Sequence, residues 1–128
     1  VTDRPALAAT VHDPHGHFLE GLRRLAGPLR EVFHGIGVLA TTATSHAVVA
    51  YLENELGAAV GRAQPAAERI GTHRREAVRL ATTFDPSVVL HADLDHALHW
   101  VEADSAELRQ HLAEPPADFV VGAQRRLP

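Results

Sequence analysis

The sequence predicts a single α/β domain built on a mainly parallel sheet of about five short strands. Three observations carry this. Apolar runs of strand length alternate with helix-period runs along the whole chain. A length of 128 residues fits one domain, and a hydrophobic content of 45% supplies a core for it. No repeat, low-complexity tract or interdomain linker divides residues 1–128, which are therefore read as one unit.

Ala6 to Val11 is the first strand candidate, and His12, Asp13, Pro14, His15 and Gly16 follow it with the composition of a turn. Phe18, Leu22, Leu25, Leu29 and Val32 then recur at helical spacing. Gly27 and Pro28 are expected to interrupt that helix, since proline lacks the backbone donor. Ile36 to Ala40 is the second strand, and Thr41, Thr42, Thr44 and Ser45 can cap the helix after it. That helix carries Val48, Tyr51, Leu52 and Leu56 and stops at Gly57, a good left-handed terminator. Ala58 to Val60 reads as a short third strand. A loop at Gln64–Ala67 leads to a helix holding Ile70, Ala77, Val78 and Ala81, and Asp85 and Pro86 reset the chain for a fourth strand from Val88. From Asp95 to Leu112 the pattern is helical, with a break near Asp104 where Ser105 can cap a second segment. Pro115 and Pro116 end it, and Phe119 to Val121 is the fifth strand candidate.

Composition excludes several kinds of chemistry. There is no cysteine, so disulfides, thiolate nucleophiles and cysteine-bound zinc are absent. All basic residues are Arg, which removes lysine Schiff-base chemistry and the P-loop lysine but suits planar contact with phosphate or carboxylate. A net charge of −4, no basic stripe and 5% aromatics argue against nucleic acid as partner. No apolar run approaches a membrane span and no signal-peptide pattern opens the chain, so a soluble, cytoplasmic protein is expected. Val1 and the lack of Met point to a missing or processed start.

In doubly wound sheets ligands bind beyond the carboxyl ends of the strands, where strand order reverses. His12, Asp13, Thr42, Thr44, Arg62, Gln64, Asp93, Asp95 and Gly122 fall at the expected strand ends. If the first and fourth strands are neighbours, Asp13 and Asp95 face one crevice. Asp93 and Asp95 lie one residue apart, so on a strand they share a face and can converge on one hard cation. The same letters also describe Asp95 capping a helix from His96 while Asp93 is solvated. His91, His96 and His99 surround the pair, but a strand followed by its own helix rarely supplies tetrahedral zinc ligands. The Asp93–Asp95 segment is also similar to the nucleophile loop of haloacid-dehalogenase-like phosphatases, yet His96 and Ala97 replace its Gly and Thr and too little chain follows. Arg74 and Arg75 sit on the preceding helix, where an Arg can clamp a diphosphate.

Two stretches, Ile70-Gly71-Thr72-His73-Arg74-Arg75-Glu76-Ala77-Val78 and Val88-Val89-Leu90-His91-Ala92-Asp93-Leu94-Asp95, resemble nucleotide-diphospho-sugar glycosyltransferases of the GT-A fold. In that family a helix with an Arg-bearing segment precedes an apolar strand ending in a DxD motif. Arg74 occupies the Arg position, Arg75 replaces an Asn, and Asp93 and Asp95 occupy the acidic positions. Ala117 to Gly122 looks like the strand after the DxD helix, and His12-Asp13-Pro14 closes the first strand as in related proteins.

The resemblance implies a three-layer, Rossmann-like domain with strand order 3-2-1-4-5. It also implies that Asp93 and Asp95 hold Mg²⁺ or Mn²⁺ together with a nucleotide sugar, with Arg74 and Asp13 completing the binding set and Asp13 near the base or ribose. Enzymes of this kind continue for about another 100 residues bearing the acceptor site. The chain is therefore expected to be a fragment, or a minimal relative keeping the nucleotide-binding half, and catalysis is left open. Apolar surface exposed by a missing acceptor half would drive association, so a homo-oligomer, a dimer, is expected. The other reading is a noncatalytic α/β module that oligomerises or binds a partner.

Overall fold

The computed structural model describes residues 4–65, 70–113 and 123–125. Four strands form a parallel sheet in the order 3-2-1-4: β1 (Pro5–Val11), β2 (Gly35–Thr41), β3 (Ala59–Ala63) and β4 (Val88–Asp93). Helices α1 (Leu19–Val32), α2 (His46–Asn54) and α3 (Ile70–Thr82) connect them, and α4 (Leu94–Ala113) follows β4. A short β5 (Ala123–Arg125) pairs antiparallel with β4 at the sheet edge. The fifth strand expected at Phe119–Val121 lies outside the described residues.

The central strands are apolar because both of their faces are covered. Leu7, Ala9, Val11, Val38, Ala40, Val88 and Leu90 form one core with the apolar stripes of α1, α2 and α4. The alternate residues Ala6, Ala8, Leu39 and Val89 meet Ala77 and Ala81 of α3 on the opposite face. The result is three layers, with α3 alone on its side of the described sheet. Exposed ion pairs Arg24–Glu102 and Arg109–Glu31 join α1 to α4. Such surface pairs contribute little beside the buried leucines.

The α3 face is built from small residues, and that sets how closely the helix sits. A Cβ on Gly37 would collide with the backbone nitrogen of Ala81 and lie 2.8 Å from the carbonyl carbon of Leu80. A Cβ on Gly35 would collide with the Phe84 ring. Backbone therefore packs on backbone, and the first turns of α3 are held against the carboxyl end of the sheet.

Several local expectations change. Gly27 and Pro28 do not break α1, because Leu22, Leu25, Leu29 and Val32 bury a continuous stripe that outweighs one lost backbone bond. Ser45 stands at the N-cap of α2 without a side-chain cap bond, while the buried Thr44 turns toward β1 instead. Gly57 does take a left-handed φ of 66°, but α2 ends earlier, at Asn54. The third strand extends to Ala63 by pairing with Thr41. The break in α4 falls at Asp104 (φ −161°, ψ 81°), and Asp104 rather than Ser105 caps the second segment, its Oδ1 accepting from Glu107 N–H at 2.9 Å.

Gly37→Ala is expected to lower the unfolding free energy by about 2–3 kcal/mol through overpacking. Urea denaturation reads this as a lower midpoint at an unchanged slope. A wild-type midpoint would show that α3 does not depend on this close seat.

Candidate functional site

Strand alternation selects the side chains that meet ligand space. Thr10 is in register with Leu39 on one side and Asp93 on the other, and Leu39 is in register with Gly61. These residues form a row across the α3 face of the sheet, two residues beyond the buried row that seats α3. Thr41 and Ala63 form the next row. His73 and Arg74, on the first turns of α3, stand over both rows at the carboxyl end of the sheet and enclose a cavity of about 460 Å³. Val11, Phe18, Leu39 and Leu94 give it apolar walls, while Asp93 and Asp95 stand at one side.

The strand order reverses between β1 and β4, since β2 and β3 lie on one side of β1 and β4 on the other. The pocket opens at this reversal, where the outgoing connections diverge and leave a crevice. One hydrogen bond spans the seam: the Thr10 hydroxyl donates to Asp93 Oδ1 at 3.0 Å. It fixes that carboxylate while leaving its other oxygen unbound by Thr10. A second network joins the ends of β1 and β2. His12 Nδ1 and Thr41 Oγ1 share a hydrogen bond of 2.7 Å, and Thr41 and Thr44 share one of 3.0 Å. Thr44 in turn donates to Val11 O at 3.3 Å and accepts from Asp13 N–H at 3.2 Å.

Asp93 and Asp95 converge for a different reason from a shared strand face. The chain enters α4 at Leu94, so only Asp93 belongs to the strand and Asp95 lies in the first helical turn. Leu94 is 2% exposed and anchors the turn inward, leaving Asp93, Asp95 and His96 exposed. Each of the three offers one ligand atom, and these atoms lie within 4.8 Å of one another. His91 and His99 are not part of that group. Two carboxylates and an imidazole form a donor set that fits a divalent cation.

Asp13 has another task. It is 4% exposed, and its Oδ1 and Oδ2 accept from the backbone N–H groups of His17 and Phe18, both at 2.9 Å. These bonds tie the turn to the start of α1, and Asp13 is not among the residues lining the pocket. Arg74 does line it, whereas Arg75 reaches back along its own helix to Thr72 Oγ1 at 3.3 Å. Thr42, Arg62 and Gln64 also lie outside the lining, and Arg62 donates to the carbonyls of Thr41 and Thr42. Gly122 lies outside the described residues.

Sequence reasoning placed Asp93, Asp95 and Arg74 at the crevice but missed the contribution of Thr10. Its period-2 relation to His12 at the end of the strand is the available signal. Beneath the pocket, His91 Nε2 is buried and has no hydrogen-bond partner among the described residues. Burial, and then the Arg74 charge, pull the His91 pKa below its ordinary 6.5, against the opposite pull of Asp93.

No family model, curated protein or solved structure matches the chain, so the reading of the site rests on its geometry.

Two stability outcomes follow from these placements. Asp13→Ala removes both amide acceptors at the α1 entry and is expected to lower stability by about 1–2 kcal/mol, measured by urea denaturation. His91 is held neutral in the fold, so as pH falls below 6.5 the unfolded chain takes up that proton first. The contribution of His91 is therefore complete above 6.5 and declines below it, down to the depressed folded value. The stability difference between wild type and His91→Asn, measured across about pH 5 to 8, should be flat at the upper end and shift against wild type at the lower end. A difference that does not vary with pH would contradict this account of His91.

Proposed function

We propose that the pocket binds a nucleotide-diphospho-sugar together with a divalent cation, as the resemblance to GT-A glycosyltransferases implies. The observation that supports this best is the pairing of charges across the strand-order reversal: carboxylates on the β4–α4 side and Arg74 on the α3 side of one cavity. A diphosphate is the ligand that uses both. Its oxygens can accept a planar, charge-assisted contact from the Arg74 guanidinium while sharing a cation with Asp93 and Asp95.

The residues divide the work by position. Thr10 holds Asp93 in one orientation through its hydroxyl. Val11, Leu39 and Phe18 offer apolar surface for the base and ribose, next to the polar edge formed by His12 and Thr41. The bound cation would neutralise charge on a leaving diphosphate. Turnover would further require an acceptor site contributed by additional chain or by a partner.

Calorimetric titration with UDP- and GDP-linked sugars in the presence of Mn²⁺ tests the proposal. One of the two classes should bind with metal and not without it. Asp93→Ala, Asp95→Ala and Arg74→Ala should each weaken binding by about tenfold or more, which is ~1.4 kcal/mol. Absence of heat with every nucleotide, from protein shown to be folded, would overturn the proposal and favour a noncatalytic module.

A further inference from the structure

We infer that His12 is a one-way hydrogen-bond acceptor of the pocket, its bare Nε2 selecting the hydroxyl- or N–H-bearing end of a ligand over a phosphate. The identity of that ligand rests on the nucleotide reading above, whereas the state of the imidazole follows from the protein's own hydrogen bonds. His12 and Thr41 both line the cavity, His12 exposed and Thr41 half-buried.

A neutral imidazole carries its single N–H on either nitrogen, so an exposed histidine can offer a donor or an acceptor. Here the count of protons along a chain of hydroxyls decides. The chain ends at Val11 O, a carbonyl that can only accept, so the Thr44 hydroxyl donates to it at 3.3 Å. Thr44 is 4% exposed, and its oxygen keeps two lone pairs for donors. Asp13 N–H takes one of them at 3.2 Å. The other remains for the 3.0 Å bond with Thr41, in which Thr41 is therefore the donor. With its own proton spent, Thr41 Oγ1 accepts from His12 Nδ1 at 2.7 Å. Neutral His12 is thus protonated at Nδ1 and carries its lone pair on Nε2.

The relay is built on fixed backbone. Val11 and Thr41 end neighbouring strands, and Thr44 N–H closes a turn onto Thr41 O at 3.0 Å. Among the described residues Thr41 is the only hydrogen-bond partner of His12, so Nε2 is left for a ligand. A bare nitrogen gains nothing from a phosphate oxygen, which is itself an acceptor, but bonds a hydroxyl or an N–H. The nucleoside end of a nucleotide has both kinds of donor, in its ribose and its base. The ligand is thereby oriented with its nucleoside end at His12 and its diphosphate left to Arg74.

Long-range nitrogen–proton correlation NMR on the full chain, at a pH where imidazole is neutral, reads the tautomer, with His12 assigned by the loss of its signals in His12→Ala. His12 should be Nδ1-protonated in the free protein. Thr41→Ser keeps the relay and should keep that state, whereas Thr41→Val removes the acceptor and should shift His12 toward the Nε2-protonated form. Nε2-protonated His12 in the wild type, or a tautomer that Thr41→Val leaves unchanged, would overturn the inference whatever the pocket binds. Calorimetry with UDP and GDP in the presence of Mn²⁺ then identifies the donor. For the nucleotide that binds, either removal of the ribose hydroxyls or methylation of the base N–H should weaken binding by about fivefold, the worth of one neutral hydrogen bond, and that loss should vanish in His12→Ala. Equal affinity for all forms of the nucleotide, or a loss that persists in His12→Ala, would overturn the acceptor role. Nδ1-protonated His12 with no binding of either nucleotide would overturn the nucleotide reading and leave the fixed acceptor standing.

Discussion

The contact between α3 and the sheet is backbone against backbone, and the position of the pocket depends on it. Gly37 leaves no room for a side chain beneath Ala81, and Ala6, Ala8 and Ala77 keep the rest of that layer thin. A helix seated this closely carries its amino-terminal turns to a fixed height above the strand ends. His73, half-buried, and Arg74, exposed, consequently line one cavity with Thr10, Thr41 and Asp93. Bulkier residues on either surface would lift the helix and open that distance. The opposite layer follows another rule: its leucines and valines fill a thick core whose stability tolerates the helix-disfavouring Gly27 and Pro28 in α1.

Charge is arranged around the same cavity without being neutralised within it. Asp93 receives a hydroxyl bond from Thr10, and no ion pair to Arg74 joins the two walls among the described residues. A positive and a negative group separated by a pocket are available to a ligand that carries both anionic oxygens and a cation. His91, half-buried on β4 two residues before Asp93, is kept toward its neutral form by burial and by the charge of Arg74. A neutral imidazole there does not add to the positive charge of Arg74, so the polarity of the two walls is kept distinct.

Some of this was legible from residue order. Alternating apolar and helical runs carried the fold class, because a strand covered on both faces must be apolar throughout, as β1, β2 and the first half of β4 are. Asp93, Asp95 and Arg74 were visible because charged residues at the end of a buried strand or the start of a helix stand out against their surroundings. Asp13 was visible on the same grounds, yet a sequence does not show whether a turn carboxylate meets a ligand or the amides of its own loop. At His17 and Phe18 the amides took it. Thr10 was hidden for the converse reason: a threonine within an apolar strand looks like ordinary β-propensity until its neighbour across the sheet is known.

The chain by itself determined an α/β domain, the absence of cysteine and lysine chemistry, and the position of an acidic pair after a buried strand. Those properties reside in composition and short-range periodicity, which do not depend on which strand lies beside which. Only the tertiary structure decided that β4 is the neighbour of β1, that Thr10 is therefore bonded to Asp93, and that the start of α4 at Leu94 gathers His96 with the two aspartates. Strand pairing and helix entry are settled by long-range packing, and residues 83 positions apart in the chain meet at the Thr10–Asp93 bond only when the sheet is assembled.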